Sequence, residues 1–224
     1  MLQTKSLERE TRRIPVNTAI RWRIVTLQVV MVVVLAAASG FALYQGSFVT
    51  GMIHDELVSQ QISFPGTDQI KAGGALDPAK FPAEIRNYAG QPVDNGDKAR
   101  VYANDFIGVH LQGVAKGQTY SQVSAALSAA NAKLASMSKD DPNYVAQQQL
   151  VTTLGAQKQT LFMGETLRSN LLNAYGWYTA GTYATYAGYF LLLASLVVLC
   201  ALGFELFIAG RRPEVIRVVS KAAA

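Results

Sequence analysis

"YAGYFLLLASLVVLCALGFELFIA", residues 186–209, decides the fold. An α-helix needs about 20 apolar residues to cross the hydrocarbon core of a bilayer. This stretch meets that length with a single charge, Glu205, near its end. The uncharged region around it runs from Ser169 to Phe204. A second uncharged region runs from Ile24 to Ile53, and residues 24–44 within it are of spanning length. The chain has 224 residues, 50% of them hydrophobic and only 16% charged, which is too apolar for an ordinary soluble domain. The expected fold class is an all-α membrane protein: two transmembrane helices flanking an extracytoplasmic helical bundle. The small residues of "LAAASG" after the first apolar run would suit a signal peptidase. However, the basic leader is long and the apolar run continues through Tyr44, so an uncleaved anchor is expected.

Charge sets the expected orientation. The leader, residues 1–23, carries six basic residues against two acidic ones, and the tail, residues 210–224, carries four against one. The long middle segment nets −1. Lys- and Arg-rich flanks stay cytoplasmic. Both termini are therefore expected inside the plasma membrane, with residues 45–177 outside and spans at 24–44 and 183–209. The pI near 9.3 is then a topology signal; the basic residues are not gathered on one folded face, as a nucleic-acid partner would require. Anionic lipids are the expected partners of Arg12, Arg13, Arg211 and Arg212.

Glu205 lies roughly 6 Å along the helix from Ala209, shallow enough to snorkel or to pair. Arg212, seven residues on, shares its helix face, and Gln28 in the first span lies at a similar depth. Either would serve as an in-chain partner; a polar residue of another subunit is the alternative. Tyr175, Trp177, Tyr178, Tyr183, Tyr186 and Tyr189 crowd the outer end of the second span, at the headgroup level aromatics favour. Interleaved Ala180, Gly181, Ala184, Ala187 and Gly188, and the four-spaced pairs Ala36/Gly40 and Ala38/Ala42, allow close helix approach.

The exterior segment reads as helices. The first span continues outward past His54. A Pro- and Gly-rich arm over residues 64–95 includes one helix in "DPAKFPAEIRNYAG", with Asp77 as cap and Gly90 as stop. A helix from Asp97 to Ala115 follows, closed at Lys116-Gly117. Thr119 caps the next, whose seam is Val123, Leu127, Ala130, Leu134 and Met137. A last helix starts at Asp140-Asp141-Pro142, with Leu150, Leu154, Leu161, Leu167 and Leu171 on its apolar side.

Conventional chemistry is scarce. Cys200, the one cysteine, lies in a span, so no disulfide or CxxC motif exists outside. His54 sits beside Asp55, Glu56 and Met52 and is a weak metal candidate, because adjacent helical residues do not converge on one point. His110 lies on an apolar helix face and reads as a packed histidine with one hydrogen bond. No triad and no phosphate loop can be assembled. No catalytic residue, cofactor or firm metal site is expected.

"GGALDP", "YAGQPVDNGDKARVYANDFIGVHL" and "TLFMGETLRSNLLNAYGW" resemble an uncharacterised family of two-span actinobacterial membrane proteins, over roughly residues 48–187. Members are sometimes labelled aromatic ring-opening dioxygenase small subunit. Such enzymes need a His/His/Glu iron site, and this chain has no two histidines placed to form one. The resemblance implies a Gram-positive cell membrane and no activity. The expected role is a non-catalytic accessory subunit of a larger membrane complex of respiratory or oxidase type, contacting other membrane subunits through Glu205, Gln28, His54, the aromatic set and the basic leader. An extracytoplasmic sensor or ligand-binding module is the alternative, and a metal chaperone the third.

Overall fold

The computed structural model describes residues 12–15, 18–207 and 215–218, with side chains described over residues 19–207. Its elements in chain order are β1 (Arg12–Pro15), α1 (Thr18–Ser59), a 3-10 turn (Thr67–Gln69), α2 (Ala83–Arg86), α3 (Gly96–Val101), a π-helical turn (Tyr102–Ile107), α4 (Gly108–Val114), α5 (Tyr120–Ser136), α6 (Tyr144–Phe207) and β2 (Val215–Val218). The protein is mostly helical. α1 and α6 are each long and apolar enough to cross a membrane. The chain divides into two compact units, one of Met1–Gln45 with Ala184–Ala224, the other of Gly46–Tyr183.

In the first unit, α1 and α6 meet along a narrow seam. Ser39 donates from Oγ to the Gly188 carbonyl at 2.8 Å, and Ser195 to the Val32 carbonyl at 3.3 Å. A Cβ added at Gly188 would come within 2.7 Å of Leu43 Cγ and 3.0 Å of the Leu43 backbone nitrogen, so only glycine permits this approach. Within this unit the buried positions of α6 recur every seven residues, at Gly188, Ser195 and Leu202. Those of α1 are Val25 and Ser39, with half-buried Val32 midway between them. A strict seven-residue repeat holds one face toward a partner helix, and small residues in it let backbones approach. Three of the four small residues spaced by four lie off this contact; the fourth, Ala42, is half-buried. Ala36, Ala38 and Gly40 are exposed, and nothing lies within 4 Å of a Cβ built on Gly40. The reason is register: 38 and 40 flank the seam position 39 and point about 100° off it, and 36 lies about 60° round the axis from it. The tails add a short antiparallel ribbon, Arg12–Pro15 on Val215–Val218; Ile14, Val215, Ile216 and Val218 are β-branched strand formers.

The second unit is built around its arm. Extended backbone at 62–65 pairs with 90–93 through Phe64 N–H to Gln91 O (2.9 Å), Val93 N–H to Ile62 O (2.8 Å) and Gly90 N–H to Pro65 O (2.9 Å). This pairing drives Phe64, Leu76, Phe81, Ile85 and Val93 into one core with Ile53 and Leu57 of α1, Ala99, Val101 and Ala103, and Leu171 of α6. The helix expected from Asp77 shrinks to the single turn α2, with Pro82 at its N-cap. Proline disfavours the helical region for Phe81 before it and brings no N–H of its own. Asp77 instead accepts backbone N–H bonds from Gly73 (2.8 Å) and Ala79 (3.0 Å), which hold its carboxyl below the usual carboxylate range. Gly90 takes φ +74° and turns the chain, as expected of a stop.

α5 begins with a capping box between Thr119 and Gln122. Val123 and Ala130 are buried, while Leu127, Leu134 and Met137 are half-buried. Val123 joins Leu111, Ala115 and Leu161 in a second core. Gln147 of α6 is buried and donates to the Ala130 carbonyl at 2.8 Å. Leu150 and Leu167, expected on the apolar side of α6, face outward. Helical rotation explains Leu167, which lies about 120° round the axis from Leu161; Leu150 shares the side of Leu154 and Leu161 and is exposed nonetheless.

Candidate functional site

The residues singled out in the sequence separate into two places, and a third place is formed by residues that sequence reading did not single out. The first is the end of α6. Glu205 Oε1 accepts from Arg21 Nε at 2.9 Å, and Arg21 Nη2 donates to the Glu205 carbonyl at 3.1 Å. One guanidinium thus serves a carboxylate and a backbone carbonyl in the last turn of a helix, where carbonyls run out of helical donors. The expectation of Gln28 as partner is corrected. Gln28 lies seven residues beyond Arg21, about two turns along α1, and its Oε1 is buried with no hydrogen-bond partner among the described residues. Arg211 and Arg212 lie outside the described residues, and for Arg12 and Arg13 only the backbone is described.

The second place is the outer stretch of α6, where the aromatic set divides. Trp177, Tyr183, Tyr186 and Tyr189 are exposed. Tyr178 is half-buried and packs on Gly96, where an added Cβ would come within 2.5 Å of Tyr178 Cβ. Tyr175 is half-buried, with the Arg100 guanidinium 6.0 Å from its ring centroid. Arg100 is also hydrogen-bonded to Glu84, which raises its affinity for its proton. Asp105 nearby is pushed up by burial first and by Glu84 second, against the pull of Arg100. His54 is exposed, its Nδ1 2.7 Å from the Asp94 carbonyl. His110 is exposed too. It packs edge-on against Phe106 and lies 5.2 Å from the Phe81 ring, with Nδ1 2.8 Å from the Phe106 carbonyl. Among the described residues, no group of three His, Cys, Asp or Glu side chains is placed to hold a metal ion.

The third place was not legible in the sequence. A cleft of about 500 Å³ opens between the π-turn with α4, the N-terminus of α5, and α6. Its floor is Leu111 and Leu161, both buried. Gly164 lets α6 close on α4 here, since an added Cβ would meet Leu111 Cδ2. At one wall, Arg168 donates from Nη2 to Asn104 Oδ1 at 3.0 Å and from Nη1 to Glu165 Oε2 at 3.3 Å. Its Nε is buried and unpartnered among the described residues. Asn104 comes from the π-turn, a wide turn found often at functional sites. At the opposite wall, α4 ends with Gly117 N–H bonded to the Gln112 carbonyl at 2.8 Å. Lys116 and Gly117 take φ +55° and +82° there. This closing turn aligns Gln112, Gln118 and Ser121 along the rim. The side chains of those three make no hydrogen bond among the described residues. The lining thus holds one cation and one anion, paired with each other, together with several neutral amides and hydroxyls.

No family model, curated protein or solved structure matches this chain.

Proposed function

We propose that the protein is a two-span membrane protein with both termini in the cytoplasm, acting as a non-catalytic accessory subunit of a larger membrane complex. The basic flanks support the orientation, which leaves the second unit outside the cell. The observation that carries the partner role is an apolar ridge on that unit. Phe162, Met163 and Leu167 of α6 are 54%, 49% and 56% exposed. They lie upstream of the apolar stretch that suits a bilayer, so lipid does not cover them in this topology. Clustered apolar side chains in water mark a protein contact. Glu205, satisfied by Arg21, serves the chain's own stability rather than that contact. The outward tyrosines and Trp177 sit at the lipid headgroups, and the basic flanks against anionic lipid.

Extraction of the native protein in mild detergent, then native electrophoresis and mass spectrometry, tests this reading. A stoichiometric complex that is lost on Phe162→Ser/Leu167→Ser supports it. A monomer or homodimer, or a complex indifferent to that double substitution, refutes it. An extracytoplasmic ligand-binding module is the second reading, and the cleft beside Arg168 favours it.

A further inference from the structure

The geometry points to the cleft between the π-turn, α4, the start of α5 and α6 as a binding site for a neutral saccharide. This inference stands whether or not the chain belongs to a larger complex.

Size and setting come first. At about 500 Å³ the cleft falls in the range of small-ligand sites. Its walls are helices and the short turn that joins α4 to α5, pinned by Gly164 against Leu111 on one side and by the capping box of Thr119 on the other. Sites held on rigid elements position a ligand better than loops do.

The chemistry of the walls selects the ligand. A phosphate or carboxylate would need surplus positive charge. The one arginine, Arg168, is already committed to Glu165, so the lining is neutral as a whole. A purely apolar ligand would leave the amides unpaired on desolvation. What remains is a ligand whose groups both donate and accept. Gln112 and Gln118 each offer a carbonyl and an NH₂. Asn104 spends its carbonyl on Arg168 and keeps its NH₂ for the cleft. Ser121 adds a hydroxyl, and Glu165 keeps Oε1 clear of Arg168. Vicinal hydroxyls on a sugar ring match such paired donors and acceptors, and Leu111 with Leu161 gives the ring's C–H face an apolar seat. Asn104 reaches this position because the π-turn widens the helix where it faces Arg168.

The test uses the full chain in a detergent without a sugar headgroup, since maltoside or glucoside detergents would compete. Saturation-transfer NMR and calorimetry are run with trehalose, maltose, lactose and N,N′-diacetylchitobiose, each up to about 10 mM, the weak end of specific binding. At least one is expected to bind. Gln112→Ala/Gln118→Ala is expected to weaken it by roughly tenfold or more, with an unchanged melting temperature because both side chains are exposed. Arg168→Lys, which keeps the charge and loses the planar fork, is expected to weaken it as well. Lys139→Ala, outside the cleft, is expected to leave affinity as it is. Silence from all four sugars overturns the inference. So does binding that survives the double substitution, or displacement of the sugar by inorganic phosphate, which would make the cleft an anion site.

Discussion

Alanine at two glycines of the spans should act with opposite signs. Gly40 and Gly188 both lie inside helices. Replacing a helical glycine with alanine stabilises by about 0.5–1 kcal/mol, through lost backbone entropy in the unfolded chain. At Gly40 nothing lies within 4 Å of the new methyl, so that gain stands alone. At Gly188 the methyl meets Leu43 Cγ at 2.7 Å, Cδ2 at 2.8 Å and the backbone nitrogen at 3.0 Å. The leucine side chain can turn away, but its backbone cannot without moving α1. Overpacking of this kind costs about 1–3 kcal/mol. A shift of α1 also strains the Ser39–Gly188 hydrogen bond, a class of interaction averaging about 0.6 kcal/mol in membranes. The two variants should therefore differ by about 1–3 kcal/mol, Gly40→Ala above the parent and Gly188→Ala below it. Reversible unfolding of the full chain in detergent, followed by circular dichroism, measures the difference. Equal stability of the two variants would refute the seven-residue seam as the place where the spans meet.

Three further outcomes follow from the same geometry. Gly96→Ala drives a methyl into Tyr178 Cβ, an atom too close to its own backbone to rotate aside, and should cost about 1–3 kcal/mol in a thermal melt, whereas Gly113→Ala, with open space around it, should be neutral or stabilising. Asp105 has a folded pKa above its ordinary 3.8, so the stability present below that value is lost as pH rises through the folded pKa; Asp105→Asn should raise the melting temperature at neutral pH and leave it unchanged in acid, and a gain that persists in acid would show the cause is not ionisation. Arg21→Gln leaves Glu205 without its cation and should lower stability more than Glu205→Gln; the double substitution should recover part of the loss, with a coupling toward the lower end of about 0.5–3 kcal/mol because the two side chains are 36% and 28% exposed.

Local signals were readable in the sequence, and signals between distant positions were not. Thr119 and Gln122 form their capping box within three residues, so the start of α5 needed no tertiary information. The two apolar runs fixed both long helices for the same reason. Glu205 found Arg21, 184 positions away, a pairing that depends on how α1 and α6 register. Gly188, Ser195 and Leu202 do carry their repeat in plain view. A search for four-residue spacing passes over it, because the favoured period depends on whether helices cross or run side by side. The arm looked irregular from its prolines and glycines, and it is irregular in backbone. Its burial of Phe64, Leu76 and Ile85 comes from Ile62–Val93 pairing across thirty residues, which composition does not reveal. The cleft draws on four elements, and its exposed glutamines resemble any solvated surface.

The π-turn at Tyr102–Ile107 has a consequence for how this chain tolerates changes of length. A π-turn closes its hydrogen bonds one residue later than an α-turn, so it absorbs one amino acid that a regular helix would not. Deleting a single residue there would let the helix heal into uninterrupted α geometry while the later side chains of α4 kept their faces. Leu111 would keep its seat on Gly164 and Gln112 its place on the cleft, and only the bulge that carries Asn104 would be lost. A deletion from the regular helix of α4 has no surplus residue to take up, and would turn every later side chain by about 100°.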